Sequence, residues 1–137
     1  MPNCFTYGTL MCQDIMAEVT GCQLLGEPAT LTDHRRLSVA GQEYPGLVVA
    51  EGYAVEGIVY RDVPLSIWER LDRFEGAMYE RIAVSLRLAD GKTMPAETYL
   101  VRPEFEKRLE PIDWDFDQFL RQGKSRFTAG YLGYEQL

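Results

Sequence analysis

The stretch 65–101 constrains the fold most, because its hydrophobic period changes partway along. In "LSIWERLDRF", Leu65, Trp68, Leu71 and Phe74 recur at helical spacing. They predict a helix over 65–74 with one buried face and Pro64 in its first turn. Gly76 reads as the stop. From Tyr79 the period becomes two: Ile82, Val84, Leu86 and Leu88 alternate with Arg81, Ala83, Ser85 and Arg87. That pattern predicts a strand with one face in the core. "DG" at 90 and 91 is a hairpin signal, and "AETYLV", 96–101, is the expected partner strand.

The rest of the chain extends the β pattern. "NCFTY", 3–7, is rich in strand formers and ends at Gly8, and "QDIMAEV", 13–19, reads as a short helix stopped by Gly21. "RRLSVA" and "LVVA" predict strands on either side of a turn at 41–46. "AVEGIVYRDV" continues the pattern, with Gly57 as a candidate bulge. Asp113 is placed to cap a final helix holding Trp114, Phe116, Phe119 and Leu120, ending near Gly123. The closing stretch, "FTAGYLGYEQL", is expected to lie across the domain. Strands outnumber helices, and their connections are mostly too short for βαβ crossovers. The expected class is α+β: one domain over 1–137, with a largely antiparallel, curved sheet or partial barrel flanked by a few helices.

Composition removes several functional classes. The net charge of −7 argues against a nucleic-acid partner, whose footprint would be basic. No apolar run approaches the roughly 20 residues of a membrane helix, and the N-terminus lacks the pattern of a signal peptide. Cys4, Cys12 and Cys22 are odd in number and show no CxxC spacing. Reduced thiols in a cytoplasm fit best. No GxSxG, GxxxxGK[ST] or HExxH motif is present. The lone His34 cannot assemble a His-rich metal site and, beside Arg35 and Arg36, reads as a surface residue. Cys12, near a helix start, is either a thiol nucleophile or a small buried hydrophobe, the commoner role.

Two places can carry chemistry. "YGTL", 7–10, ends a strand with a single glycine just before a helix. The amides of such a turn can face a carboxylate or phosphate, with Gly8 permitting close approach and a positive φ; the plainer alternative is a simple turn. Glu75 is a carboxylate at the negative end of a helix, a position disfavoured by roughly 0.3–1 kcal/mol when exposed. Apolar Phe74, Ala77 and Met78 would add desolvation, and both effects raise its proton affinity. The alternative is a solvated glutamate at a frayed helix end.

Together with the segments between them, these places resemble the γ-glutamylcyclotransferase-like superfamily, in particular the branch of small proteins related to the plant avirulence-induced gene products. The matching segments are "FTYGTLM", "EYPGLV", "VEGIVY" and "LDRFEGAMYERI", in the family's order over roughly 3–101; "WDFDQFL" also resembles that branch. The resemblance implies a small mixed β-barrel flanked by helices. It implies an intramolecular reaction, without metal or coenzyme, in which the α-amine of a γ-glutamyl group attacks its own γ-carbonyl. The products would be 5-oxoproline and a free amine or amino acid.

By the same resemblance Glu75 is the general acid/base, while Tyr7, Gly8, Thr9 and Leu10 hold the glutamyl portion, largely through backbone groups. Thr9 stands where serine is usual and keeps the hydroxyl. Tyr79 matches the family's tyrosine and could hydrogen-bond the carboxylate or shape the pocket. Tyr99 could reach the same region from the partner strand, or simply be a sheet residue. Arg81 could pair with Glu80 or Asp72. The expected partner is a small γ-glutamyl substrate, with the oligomeric state left open. The competing class is a non-catalytic binding or regulatory module on the same fold; a pure binder has no need of a carboxylate base.

Overall fold

The computed structural model describes residues 1–131. In chain order it contains β1 (Cys4–Thr6), a 3₁₀ turn (Thr9–Met11), α1 (Gln13–Thr20), β2 (Gly26–Val39), β3 (Pro45–Tyr60) and α2 (Leu65–Glu75). There follow β4 (Tyr79–Leu88), β5 (Thr93–Val101), a 3₁₀ segment (Pro103–Arg108) and β6 (Leu109–Asp113). A final helical run comprises α3 (Phe116–Gln118), a π-helical stretch (Phe119–Gly123) and α4 (Lys124–Tyr131). The strand order is β3-β1-β5-β4-β2-β6, and a further β2–β3 pairing closes the first five strands into a barrel. The β1–β5 pair is parallel, and the others are antiparallel. The pattern predicts the largely antiparallel, curved sheet with flanking helices, and the closed, mixed barrel is the one that the resemblance implies.

Because side chains alternate across a strand, neighbouring residues of β1 serve different cores. Phe5 joins Leu31, Leu47, Val59 and Leu86 in a cluster drawn from all five barrel strands. Cys4 joins Met16, Tyr60, Trp68, Leu71 and Phe119 in a second cluster, between the strands and the helices. α2 packs there through Trp68 and Leu71, with Phe74 partly buried. Leu65, expected on the same face, is 70% exposed because the first residue of α2 overhangs the core. Pro64 caps the helix from just outside it, at φ −63° and ψ 155°, and its carbonyl accepts from Trp68 N at 3.0 Å.

Several boundaries differ from the sequence expectation. β2 begins at Gly26, not near Arg35, and the two strands expected at 47–50 and 54–63 are one. The early half of β2 is polar and offers only Ala29 and Leu31 to the core, too few to show alternation; pairing with β3 along its length holds it extended. Gly57 is not a bulge, since it sits in regular register opposite Ala29. The irregularity lies between Thr32 and His34, where Asp33 (φ 60°) accepts from Gly52 N at 3.1 Å. Asp113 closes β6 and pairs with Arg35 at 2.6 Å, while Asp115 is the cap, accepting from Gln118 N at 3.1 Å. The helical run also continues past Gly123 into α4. Of the closing stretch, Phe127 is buried in the core, and residues 132–137 lie outside the described residues. Among the described residues no helix is long and apolar enough to cross a membrane.

Gly57 is needed for close approach: a Cβ there would lie 2.2 Å from the Thr6 carbonyl oxygen and 2.7 Å from the Phe5 ring. The nearer atom is backbone of β1, held in the sheet on both edges, and cannot rotate away. Gly57→Ala is therefore expected to destabilise the fold by about 3 kcal/mol, the upper part of the usual overpacking range, measured by urea unfolding. A change below about 0.5 kcal/mol, the scale of ordinary surface substitutions, would show that β1 and β3 are not this close.

Candidate active site

Glu75 is the last residue of α2 and lies one turn beyond Leu71, so the face that packs on the core carries the carboxylate inward with it. Gly76 follows at φ 75° and ψ −163°, a conformation open essentially only to glycine. It turns the chain directly into β4. β1 lies between β3 and β5 and delivers the segment Tyr7–Leu10 to the same place. There Tyr7 and Leu10 are buried among apolar groups, and Thr9 is buried with them. Arg36 holds this segment, its Nη1 donating to the Tyr7 carbonyl at 2.7 Å and the Glu56 carbonyl at 3.2 Å.

Glu75, Tyr7, Gly8, Thr9, Leu10, Tyr79 and Tyr99 all line one cavity of about 280 Å³, just below the usual small-molecule range. The floor is made by β1 and the tyrosines, while partly exposed Tyr44, Phe74 and Phe105 form its outer parts together with exposed Arg108. Phe127 of α4 reaches the wall and meets Phe74 edge-on, with centroids 6.4 Å apart.

Glu75 as a whole is partly buried, and its carboxyl, set in the cavity wall, is raised from its ordinary 4.5 to about 8, first by burial and then by the charge of Asp72, one turn earlier on α2. Asp72 is held in place: Tyr99 Oη donates to its Oδ1 at 2.6 Å and Arg81 Nη2 lies 3.5 Å from its Oδ2. Arg81 also approaches Glu97 at 3.4 Å and lies over the Trp68 ring at 4.5 Å. The tyrosines direct their protons to protein. Tyr7 Oη donates to the Tyr99 carbonyl and Tyr79 Oη to the Pro45 carbonyl, both at 2.7 Å. Tyr79 thus braces the cavity wall through Pro45, in keeping with a side chain that shapes the pocket. Burial raises the Tyr7 and Tyr99 hydroxyls far above the usual range, so neither is a proton donor of ordinary strength.

Gly8 has φ −132°, not the positive φ anticipated. Its role is close approach, since a Cβ would lie 2.7 Å from Pro45 Cδ. Cys4 lines the cavity as well, but burial pushes its thiol up, away from the reactive thiolate. Cys12 is buried, its thiol raised by burial, and His34 is half-exposed with Nδ1 2.9 Å from the Thr32 carbonyl; neither lines the cavity. The sequence reading named Asp72 only as a possible partner of Arg81, which it is, and did not place Asp72, Arg36 or Arg108 at the site. Asp72 had a legible signal, being one helical turn before Glu75. Arg36 and Arg108 had none, because only the fold brings them to the cavity and its supports.

A family model described as Gamma-glutamyl cyclotransferase, AIG2-like matches residues 4–116. AIG2-like protein D of Arabidopsis thaliana is 30% identical over 134 residues, 96% of this chain and 85% of that protein. A solution structure of an Arabidopsis thaliana protein superposes with a TM-score of 0.70 at 27% identity, over 95% of this chain and 87% of the other. A structure described as gamma-glutamyl cyclotransferase gives a TM-score of 0.69 at 18% identity, over 98% of this chain and 84% of that one, a likeness of fold.

Proposed function

The chain belongs to the gamma-glutamyl cyclotransferase, AIG2-like family, and from that premise we propose that it converts a γ-glutamyl amide to 5-oxoproline and a free amine, with Glu75 as general acid/base. The observation that carries this reading is a carboxyl raised to about 8 in the same cavity as the Tyr7–Leu10 segment. A glutamate with an ordinary pKa would be a poor base toward an ammonium; raising it narrows the gap.

In this mechanism the substrate's α-ammonium gives a proton to the Glu75 carboxylate, and the free amine attacks the γ-carbonyl of the same molecule. A C–N bond forms to close the five-membered ring. Glu75 returns the proton to the departing nitrogen, and the original C–N bond breaks. The remaining proton of the new ring nitrogen leaves by the same carboxylate, and the released amine takes one up. The balance needs no oxidant or co-reactant. The first amides of a helical turn lack intrahelical partners, so those of Thr9 and Leu10 can serve the glutamyl portion. Because attack is intramolecular, holding the chain folded back is most of the task, and a small cavity suits it.

Incubating the protein with a panel of γ-glutamyl amino acids and amines, and following 5-oxoproline, tests the reading directly. Release from any of them supports it; release from none, with the folded protein present, overturns it. A second test concerns Asp72, whose negative charge favours protonated Glu75. Asp72→Asn keeps an acceptor for Tyr99 but removes the charge. The acid limb of the pH–rate profile is expected to move to lower pH, toward the ordinary carboxylate range. An unmoved limb would mean that Asp72 does not tune this base.

A further inference from the structure

The cavity has a charged group that the chemistry of ring closure does not use. Arg108 ends the 3₁₀ segment between β5 and β6, and it contributes to the lining beside Phe105. Its guanidinium carbon stands 4.8 Å from the centre of that ring, and its own carbonyl accepts from Ala40 N at 2.9 Å. Backbone and side chain are therefore both placed. Glu104, Glu106 and Lys107 of the same segment do not line the cavity. Among the described residues Arg108 makes no ion pair, so its charge is not matched by a carboxylate of the protein. It is, among the described residues, the only cation lining the cavity.

Position decides which part of a ligand this cation meets. The Tyr7–Leu10 segment and the tyrosines of the floor are buried, whereas Arg108 is exposed at the rim. With the glutamyl portion on the floor beside Glu75, the group on the far side of the scissile amide extends to the rim. An arginine whose guanidinium is placed over an aromatic ring keeps its donor fork for a planar carboxylate.

We propose that Arg108 selects the leaving group by receiving the carboxylate of an α-amino acid amide-linked to the γ-glutamyl unit, which makes γ-glutamyl amino acids the substrate class in preference to γ-glutamyl alkylamines. The assignment rests on the cyclotransferase reading for its chemistry. Its charge balance is favourable: such a substrate carries two carboxylates and one ammonium, and meets one fixed cation and one titrating acid.

The test compares γ-glutamyl-alanine with γ-glutamyl-ethylamine in wild type, Arg108→Ala and Arg108→Lys. The ratio of kcat/KM for the amino acid over the amine is expected to fall about tenfold in Arg108→Ala, the lower end for a hydrogen bond to a charged group, and to recover in part in Arg108→Lys. A ratio that stays constant overturns the proposal, whether both substrates fall together or neither does. A parallel loss of 5-oxoproline affinity, which would place the contact on the glutamyl carboxylate, also overturns it. Binding separates this outcome from failure of the cyclotransferase reading. In Glu75→Gln, where turnover is expected to be slowed about 10²-fold or more, calorimetry should still show γ-glutamyl-alanine bound more tightly than γ-glutamyl-ethylamine, and Arg108→Ala in that background should abolish the difference. Equal affinities in Glu75→Gln would sink the Arg108 assignment even if wild type releases 5-oxoproline. Absent release with the binding difference intact would sink the cyclotransferase reading and leave Arg108 as a carboxylate receptor.

Discussion

Glu75→Gln is expected to lower 5-oxoproline release by about 10²-fold or more, the usual scale when a general acid/base is removed. Glutamine has nearly the shape of glutamate and can hydrogen-bond, but it cannot carry a proton between nitrogens. The segment Tyr7–Leu10, fixed by Arg36 and by the Tyr7 hydroxyl, is untouched, so 5-oxoproline should still raise the melting temperature of the variant. Lost turnover with retained binding supports the assignment. Full activity would falsify it, and so would turnover lost only in proportion to lost binding, because Glu75 would then be a wall of the pocket and not its base.

The same carboxyl makes folding pH-dependent in a direction opposite to that of most carboxylates. In the folded protein it holds its proton up to about pH 8, whereas unfolding returns it to an ordinary value near 4.5. Between those values the folded state binds more protons than the unfolded one, so the contribution of Glu75 to stability falls as pH rises through the window. Below it both states are protonated, and above it both are ionised. At about 1.4 kcal/mol per pH unit, the full swing is on the order of a few kcal/mol. Glutamine does not titrate, and other groups contribute alike to both proteins. The stability of wild type minus that of Glu75→Gln, from urea unfolding at pH 4.5 and pH 9, should therefore drop by that amount. A difference independent of pH would mean that Glu75 has an ordinary pKa, and the poised base would be lost with it. Activity should follow the opposite course on the acid side, rising toward pH 8 as the carboxylate forms and falling again when the substrate ammonium titrates.

Some of this was legible in the chain. The helical period at 65–74 and the period of two from Tyr79 are local properties, fixed by which side chains can share a face, and α2 and β4 follow them closely. Glu75 stood out because a carboxylate at a helix C-terminus works against the helix dipole, a conflict visible without coordinates. Its depth was partly legible too, since the apolar face of α2 runs through Leu71 to the next turn. The early half of β2 and the short β6 were not legible, because their backbones are held by partners distant in sequence and not by any period of their own.

The sequence by itself determined the class of fold and marked the two segments that meet at the cavity, one of them by a carboxylate set against its own helix end. Tertiary structure alone decided what surrounds them. Burial and Asp72 together set the proton affinity of Glu75, Arg36 reaches from β2 to hold the Tyr7 carbonyl, and Arg108 arrives at the rim on a segment that no motif marks. The physical reason is range: backbone periodicity is felt over a few residues, whereas desolvation and charge act through space between residues that only the closed barrel makes neighbours.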